Sequence, residues 1–207
     1  MNTIAMSLEL IIGPMFAGKS SAVLQRIRRA KVIGRNVFIV TSILDTRYDS
    51  TGTSVKTHDK DGITALGLGV NKLNEMFLLA GFHQANIVIF EEAQFFNGLY
   101  DVVKLIIETH RKHVIVVGLD GDSERKPFGD ILKLIPLADR VTKLAALCKR
   151  CDDGTDGIFT ALVADPMEKT EQIYVGGADK YLPMCRTHYL ENLAIQAKNL
   201  TAHGKAN

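Results

Sequence analysis

The most informative segment of this chain is Gly13-Pro14-Met15-Phe16-Ala17-Gly18-Lys19-Ser20. It fits G-x-x-x-x-G-K-[S/T], the spacing of a phosphate-binding P-loop. An apolar run at residues 8–12 precedes it, and apolar residues at helical spacing follow it. This context matters because the loop N–H groups and the helix N-terminus must point at one phosphate. We therefore predict that these eight residues bind the phosphates of ATP, with Lys19 at the β and γ positions and the Ser20 hydroxyl on Mg²⁺.

The composition excludes several classes of protein. Hydrophobic residues make up 46% of the chain, which is enough to bury a sizeable core, and the formal net charge is +2. That charge is too near neutral for an electrostatic nucleic-acid binder. No apolar run is long enough for a membrane helix, and residues 1–7 lack the features of a signal peptide. We expect a cytoplasmic protein with no nucleic-acid or membrane partner.

Strand and helix patterns alternate from residue 7 to about residue 145. Residues 36–40, 86–90 and 113–117 are short, nearly continuous apolar runs, and helical patterns lie near residues 72–79 and 99–110. Such runs are typical of a parallel sheet that is covered on both faces. The prediction is an α/β fold: a P-loop (RecA-like), mostly parallel sheet flanked by helices. Residues 43–62 are polar and predict a long, functional loop.

Three cysteines and one histidine form two short-spaced pairs after residue 147, namely Cys148-x₂-Cys151 and Cys185-x₂-His188. An odd number of cysteines cannot form a closed disulfide framework. Two such pairs instead predict a closed, structural zinc site, which would fix both ends of the intervening loop. The alternative is three unrelated thiols and a surface histidine. We predict domains at residues 1–146 (ATP-binding), 147–192 (zinc-binding, with a lasso loop) and 193–207 (helix end and tail). Strand-like pieces are expected at 158–163 and 172–175, and a last helix at about 187–199.

Two acids, Glu91 and Glu92, directly follow the strand pattern of residues 86–90. In P-loop enzymes an acid at the end of such a strand supports Mg²⁺, and a neighbouring acid can act as a base. Strand alternation points the two carboxylates in different directions, so they can have different roles. The alternative is a pair of solvated carboxylates at a helix start. The nearby P-loop favours the functional interpretation.

Two further stretches are candidates for ligand contact. Residues 118–129 follow the strand pattern of 113–117, and ligands bind at strand ends in open α/β sheets. Residues 175–181 contain Gly176-Gly177, which permits close approach of a backbone, and the aromatic Tyr181. A solvated loop and a plain turn are the respective alternatives.

These motifs together resemble one known family. The matching residues are the P-loop, Asp45-Thr46-Arg47-Tyr48 with Thr57-His58-Asp59, Glu92-Ala93-Gln94-Phe95-Phe96, Gly118-Leu119-Asp120-Gly121 with Arg125-Lys126-Pro127-Phe128-Gly129, and Gly176-Gly177-Ala178-Asp179-Lys180-Tyr181. In this order, from about residue 8 to residue 189, the chain resembles the type II (cytosolic-type) thymidine kinases of animals, many bacteria and large DNA viruses.

The resemblance implies transfer of the ATP γ-phosphate to the 5′-hydroxyl of thymidine, giving dTMP for DNA synthesis. Glu92 would be the general base, and Lys19 and Arg47 would neutralise the transferring phosphoryl group. Ser20, Glu91 and Asp45 would support Mg²⁺. The residues implied for nucleoside binding are Met15, Phe95, Leu119, Phe128, Thr160, Val175, Gly176 and Tyr181. The resemblance also implies structural Zn²⁺, a homotetramer and feedback inhibition by dTTP.

The chain departs from the family pattern in four places. Glu91 stands where aspartate is common, and His188 stands where a fourth cysteine is frequent. Ser123 stands where the family often has an aromatic residue, which could enlarge the pocket and loosen the preference for thymidine. The lasso between Cys151 and Gly176 is a few residues longer than is typical.

Two other functions are alternatives to a kinase. A nucleotide-hydrolysing switch would show hydrolysis without a nucleoside, and a GTPase would carry N-K-x-D, whereas the only Asn-Lys pair here continues as Leu73-Asn74. A zinc-ribbon nucleic-acid binder would need a basic surface with interleaved aromatic residues. Residues 148–160 are instead of mixed charge.

Overall fold

The computed structural model describes residues 6–42, 44, 54–55, 63–64, 66–69, 71–165, 171–174 and 176–203. The strands in chain order are β1 (Ser7–Ile12), β2 (Val37–Ser42), β3 (Ser54–Val55), β4 (Ile63–Thr64), β5 (Leu66–Leu68), β6 (Ile87–Glu91), β7 (His113–Gly118), β8 (Arg140–Lys143), β9 (Ala146–Leu147), β10 (Asp156–Gly157), β11 (Phe159–Leu162) and β12 (Tyr181–Met184). The α-helices are α1 (Lys19–Val32), α2 (Ala80–Gln84), α3 (Leu99–Glu108) and α4 (Arg186–His203), and 3-10 turns cover Leu73–Leu78, Ala93–Phe95 and Ile131–Leu137.

Six strands form one sheet in the order β5-β2-β6-β7-β1-β8, and every neighbouring pair is parallel. The central strands β1, β6 and β7 are buried along almost their whole length, which their mostly apolar sequences explain. The predicted mostly parallel sheet with flanking helices is therefore confirmed. Because the strands are parallel, the carboxyl ends of β1, β6 and β7 lie at the same edge of the sheet.

Helix α3 shows how the core forms beside this sheet. Its buried residues are Leu99, Val102, Val103 and Ile106, at the i, i+3, i+4, i+7 spacing of one helix face. They join a hydrophobic cluster with residues of β1, β6 and β7. Complete burial of such a side chain contributes about 1.5–3 kcal/mol, so this face is enough to hold the short helix against the sheet.

Several local predictions need correction. The helix expected at 72–79 is a 3-10 turn followed by the short α2, because Leu79 between them has an extended backbone (φ −94°, ψ 132°). Strands β5 and β8 were not predicted. Residues 172–174 form no strand, and Val175 lies outside the described residues. The last helix is longer than expected and ends at His203.

The chain divides into two compact units. The first comprises Met1–Ile12, Lys19–Asp120 and Phe128–Lys143, and it contains the whole six-stranded sheet. The second comprises Gly13–Gly18, Gly121–Pro127 and Leu144–Asn207. The predicted domain boundaries after residues 146 and 192 stay predictions. Among the helices in the described ranges, none combines the length and apolar character that crossing a bilayer requires.

The second unit is built from two small antiparallel ladders, β9 with β10 and β11 with β12, together with α4. Its apolar centre includes Ala161, Met184 and Tyr189, all essentially inaccessible to solvent. The Tyr189 hydroxyl donates a 2.7 Å hydrogen bond to the Ser123 carbonyl oxygen. The Asn192 side chain donates to the Leu162 carbonyl oxygen at 2.8 Å. These two bonds satisfy the polar groups that α4 buries.

Candidate functional site

The P-loop residues Gly13–Gly18 connect the end of β1 to the start of α1. Three of them have positive φ: Gly13 (148°), Phe16 (64°) and Gly18 (75°). A Cβ atom at Gly13 would overlap the Leu144 carbonyl oxygen, so only glycine fits there. The first turn of α1 carries no acidic residue, which preserves the attraction of its N-terminus for an anion. Lys19 is buried at this helix start.

The two predicted acids lie where β6 ends. Glu91 is the last residue of the strand, and Glu92 follows it with a left-handed backbone (φ 50°, ψ 43°). Both are buried, at 3% and 9% exposure. A left-handed backbone is uncommon outside glycine and costs about 1–3 kcal/mol, so surrounding contacts must stabilise it. A 3-10 turn begins directly after this buried strand, and two carboxyl groups lie at the strand end.

The Glu92 carboxylate is held by the neighbouring turn. The Gln94 side-chain amide donates a 2.7 Å hydrogen bond to Glu92 Oε2. The oxygen of the same amide accepts a 3.0 Å bond from the backbone N–H of Leu119, just beyond β7. Sequence reasoning quoted Gln94 only as part of a motif and gave it no role. Its signal would have been a polar side chain in an otherwise apolar, buried turn.

Three of the predicted nucleoside-binding residues lie in the first unit. The Phe95 and Phe128 rings meet edge to face, with centroids 5.6 Å apart and planes at 87°. Leu119 is buried, and its N–H bonds to Gln94 as described above. Phe95 follows β6 and Leu119 follows β7, so both come from the carboxyl ends of adjacent strands. The two rings provide an apolar surface of the kind that a base or sugar contacts.

Four more of those residues belong to the second unit. The Met15 N–H donates to Thr160 Oγ1 at 3.0 Å, which ties the P-loop segment to strand β11. The Tyr181 hydroxyl donates a 2.6 Å bond to the Tyr174 carbonyl oxygen. Burial, and then the neighbouring Tyr174 and Asp122, raise the pKa of Tyr181 to about 12, so it remains a donor at neutral pH. At Gly176 a Cβ atom would crowd the Lys180 side chain.

A buried carboxylate organises the turn at residues 121–127. Asp122 Oδ1 accepts hydrogen bonds from the backbone N–H groups of Glu124 (2.8 Å) and Lys126 (2.9 Å). Its Oδ2 accepts a 2.7 Å bond from the Gln172 side chain, which also donates to the Pro127 carbonyl oxygen at 3.2 Å. Asp122 therefore ties residues 171–174 of the lasso to this turn. Sequence reasoning did not identify this contact, because the two residues are 50 positions apart.

The four predicted zinc ligands come together in the second unit. His188 Nδ1 lies 3.5, 3.3 and 3.4 Å from the sulfur atoms of Cys148, Cys151 and Cys185, respectively. The sulfur atoms of Cys151 and Cys185 are 3.7 Å apart. All four ligand atoms lie within 4.8 Å of one another. Around a tetrahedral zinc ion, sulfur–sulfur and sulfur–nitrogen separations of about 3.8 and 3.6 Å are expected. The cluster can therefore hold a metal ion such as zinc.

The surroundings of the cluster favour a thiolate at Cys148, whereas burial and hydrogen bonds to the Cys148 and Cys185 thiols raise the pKa of Cys151 to about 11. Burial raises the pKa of Cys148, but hydrogen bonds from the backbone N–H groups of Cys185 and Arg150 outweigh burial and lower it to about 6. On the far side of the His188 ring, Nε2 lies 3.9 Å from a Glu191 carboxylate oxygen. At that distance the two groups interact electrostatically without a hydrogen bond. Four protein ligands would leave no open position around a tetrahedral ion, an arrangement typical of structural sites.

Asp45, Arg47 and Val175 lie outside the described residues. Ser20 is half-buried in the first turn of α1, and the roles assigned to all of the site residues stay predictions.

Comparisons with known proteins identify the family. A family model described as thymidine kinase matches residues 6–189. Thymidine kinase a of Arabidopsis thaliana is 42% identical over 187 residues, which cover 90% of this chain and 76% of that protein. The cytosolic thymidine kinase of Cricetulus griseus is 34% identical, covering 91% and 75%. The thymidine kinase of vaccinia virus is 35% identical, covering 89% and 97%.

Among solved structures, a DNA replication initiation factor aligns with a TM-score of 0.40 at 13% identity, over 67% of this chain and 40% of that one. A likeness this weak supports no conclusion. The family model and the relatives do support one: this chain belongs to the thymidine kinase family.

Proposed function

We propose that this protein transfers the γ-phosphate of ATP to the 5′-hydroxyl of thymidine, giving dTMP and ADP. The family membership and the named activity of the relatives supply the substrate class. The observation that carries the chemistry is the buried Glu92 carboxylate, held at the carboxyl end of β6 by Gln94. A general base must be fixed in one orientation before a hydroxyl can present its proton to it.

In the proposed reaction Glu92 accepts the proton of the thymidine 5′-hydroxyl as that oxygen attacks the γ-phosphorus. The new bond joins the 5′-oxygen to phosphorus, and the bond to the bridging β–γ oxygen breaks in line with it. The electron pair of the broken bond stays with ADP. Lys19 and Arg47 lower the energy of this step by balancing the negative charge on the transferring group.

Phosphate binding is supported by the loop geometry and by the helix start that follows it. N–H groups of residues 16–20 would donate to the phosphate oxygens, since Pro14 has no N–H and the Met15 N–H bonds to Thr160. The acid-free first turn of α1 adds favourable electrostatic potential. Mg²⁺ prefers oxygen ligands, and the Ser20 hydroxyl and the buried Glu91 carboxylate are of that type. With Asp45 they would hold the ion, which when bound neutralises charge on the β- and γ-phosphates.

The nucleoside is proposed to bind against the residues that the resemblance implies: Met15, Phe95, Leu119, Phe128, Thr160, Val175, Gly176 and Tyr181. Paired aromatic rings suit the faces of a base, while lasso backbone groups would read its polar edge. Zinc at Cys148, Cys151, Cys185 and His188 would fix the ends of the lasso and take no part in the chemistry.

The resemblance also leads us to propose a homotetramer, feedback inhibition by dTTP and a cytoplasmic location. These three properties rest on the family and on the name of the hamster relative, which is a cytosolic enzyme. Sedimentation equilibrium and inhibition by added dTTP test the first two.

The reaction itself is tested by incubating the protein with Mg·ATP and thymidine, deoxyuridine, deoxycytidine or deoxyadenosine in turn. We expect dTMP and ADP in equal amounts with thymidine, and little ADP without a nucleoside. ADP release at the same rate with and without a nucleoside would instead identify an ATPase. Product from deoxyadenosine alone would keep the reaction class but change the base.

A further inference from the structure

Gln94 lies between the proposed base and a neighbouring strand end. It is 3% exposed in the 3-10 turn Ala93–Phe95, two residues after Glu92. Its amide nitrogen is 2.7 Å from Glu92 Oε2, and its amide oxygen is 3.0 Å from the Leu119 nitrogen. Both partners belong to the proposed reaction site, one as the base and one in the nucleoside-binding set.

The backbone fixes which way round the amide sits. The Leu119 N–H can only donate, so the atom of Gln94 that faces it must be the oxygen. The NH₂ group must then face Glu92, and because NH₂ has no acceptor, Glu92 Oε2 must accept. The hydrogen bonds therefore form one chain, from the Leu119 backbone through Gln94 to the carboxylate.

Close packing leaves the Gln94 side chain little freedom to move. A Cβ atom at Gly118 would overlap Gln94 Oε1, and a Cβ atom at Gly129 would overlap the Gln94 carbonyl oxygen. Gly129 also has a φ of 60°, a conformation that other residues rarely adopt. Two glycines from different segments thus allow Gln94 to fit where it does, and any larger residue would displace it.

We infer that Gln94 is a positioning residue for Glu92: its NH₂ group fixes the carboxylate that accepts the 5′-hydroxyl proton, and Leu119 holds that amide in place. The inference rests on the proposed function. In this role Gln94 does not contact the substrate. The left-handed backbone places the Glu92 side chain, and the hydrogen bond to Oε2 restricts its carboxylate to one orientation. Misplacing a reacting group by about 1 Å can cost about 100-fold in rate.

The test is a double-mutant cycle on kcat with Gln94→Met and Glu92→Gln. Methionine keeps the approximate volume of glutamine but removes both hydrogen bonds. We expect Gln94→Met to lower kcat by about 10- to 100-fold while KM for thymidine changes less than about threefold. In the Glu92→Gln background the same change should have almost no effect, because it acts only through that carboxylate. Gln25→Met, at an exposed position of α1, is the matched control.

A second variant distinguishes loss of kcat through positioning of Glu92 from loss of kcat through a disturbed structure. Gln94→Glu keeps an acceptor for the Leu119 N–H but turns an oxygen toward the Glu92 carboxylate. We expect its kcat to recover as the pH falls from about 9 to 7, since a proton shared by the two carboxylates restores a donor. Gln94→Met should show no such recovery. Melting temperatures of all variants show whether they are folded.

The outcomes separate the two proposals. An active wild type, an impaired Glu92→Gln and a Gln94→Met that retains wild-type kcat would overturn the inference and leave the kinase intact. Effects that multiply in the double variant, or that fall on KM only, would also overturn it. A wild type that phosphorylates no nucleoside would refute the proposed function and this inference with it.

Discussion

Replacing Asp122 with asparagine tests how the lasso is tied down. The carboxylate is 5% exposed and accepts three hydrogen bonds, from the N–H groups of Glu124 and Lys126 and from the Gln172 side chain. Asparagine can keep Oδ1 for the two backbone donors. Its NH₂ group would then face the Gln172 NH₂ group, so two donors would meet. Gln172 could rotate its amide to accept, but it would then lose its bond to the Pro127 carbonyl oxygen.

The loss of the Asp122–Gln172 hydrogen bond sets the size of the expected change in the free energy of unfolding. A hydrogen bond to a charged acceptor contributes about 1.5–3 kcal/mol, and the exposure of Gln172 places this one near the lower end. We expect Asp122→Asn to lower the free energy of unfolding by about 1–2 kcal/mol. For a chain of this size that corresponds to a fall in Tm of about 2–8 °C. Because the lasso is part of the proposed nucleoside site, KM for thymidine should rise more than kcat falls.

The assay is thermal unfolding combined with steady-state kinetics, with Asp156→Asn at an exposed position of β10 as the matched control. Gln172→Met closes a double-mutant cycle, and a coupling free energy of about 1 kcal/mol between the two positions is expected. Strictly additive losses, or an Asp122→Asn melting curve that matches the control, would refute the idea that this contact restrains residues 171–174.

The other predictions concern the metal cluster, a glycine and the substrate range. We expect one zinc ion per chain by elemental analysis; His188→Cys should retain it, whereas His188→Ala should lose about 100-fold or more in affinity, since a structural site of four ligands contributes about 10–16 kcal/mol in all. Equal zinc content in His188→Ala would disprove this ligand set. Gly129→Ala should destabilise the protein by about 1–3 kcal/mol, because its φ is 60° and its Cβ would overlap Gln94; an unchanged Tm would contradict it. Ser123→Phe should narrow the accepted nucleosides by filling space that an aromatic residue often occupies in the family. The idea fails if the ratio of kcat/KM for thymidine and deoxyuridine stays the same.

The sequence predicts the centre of the fold well, because burial on two faces leaves a clear pattern. Strands β1, β2, β6 and β7 are mostly apolar runs, and their parallel pairing follows from the helices between them. Strand β8, at the edge of the sheet, gives no such signal. Its residues Arg140–Lys143 are mostly exposed, so neither alternation nor an apolar run identifies it.

The metal cluster was predictable for a different reason. Two short spacings fix each pair of ligands locally, so only one long-range contact had to be inferred, and the four ligand atoms do lie together. Contacts between single polar residues carry no such local signal. Gln94 with Leu119, and Asp122 with Gln172, pair residues 25 and 50 positions apart, and only the tertiary structure brings them together.

The proposed role of Glu92 as the general base of an ATP-dependent thymidine kinase can be tested with a single substitution. Glu92→Gln keeps an oxygen that can accept the Gln94 hydrogen bond but removes the basic group, so folding should be preserved. Its matched control is Glu108→Gln, at an exposed position at the end of α3. We predict that kcat for dTMP formation falls by about 10²–10⁴-fold in Glu92→Gln, with Tm and KM for ATP unchanged and with Glu108→Gln at wild-type activity. A folded Glu92→Gln that forms dTMP at the wild-type rate would contradict the account.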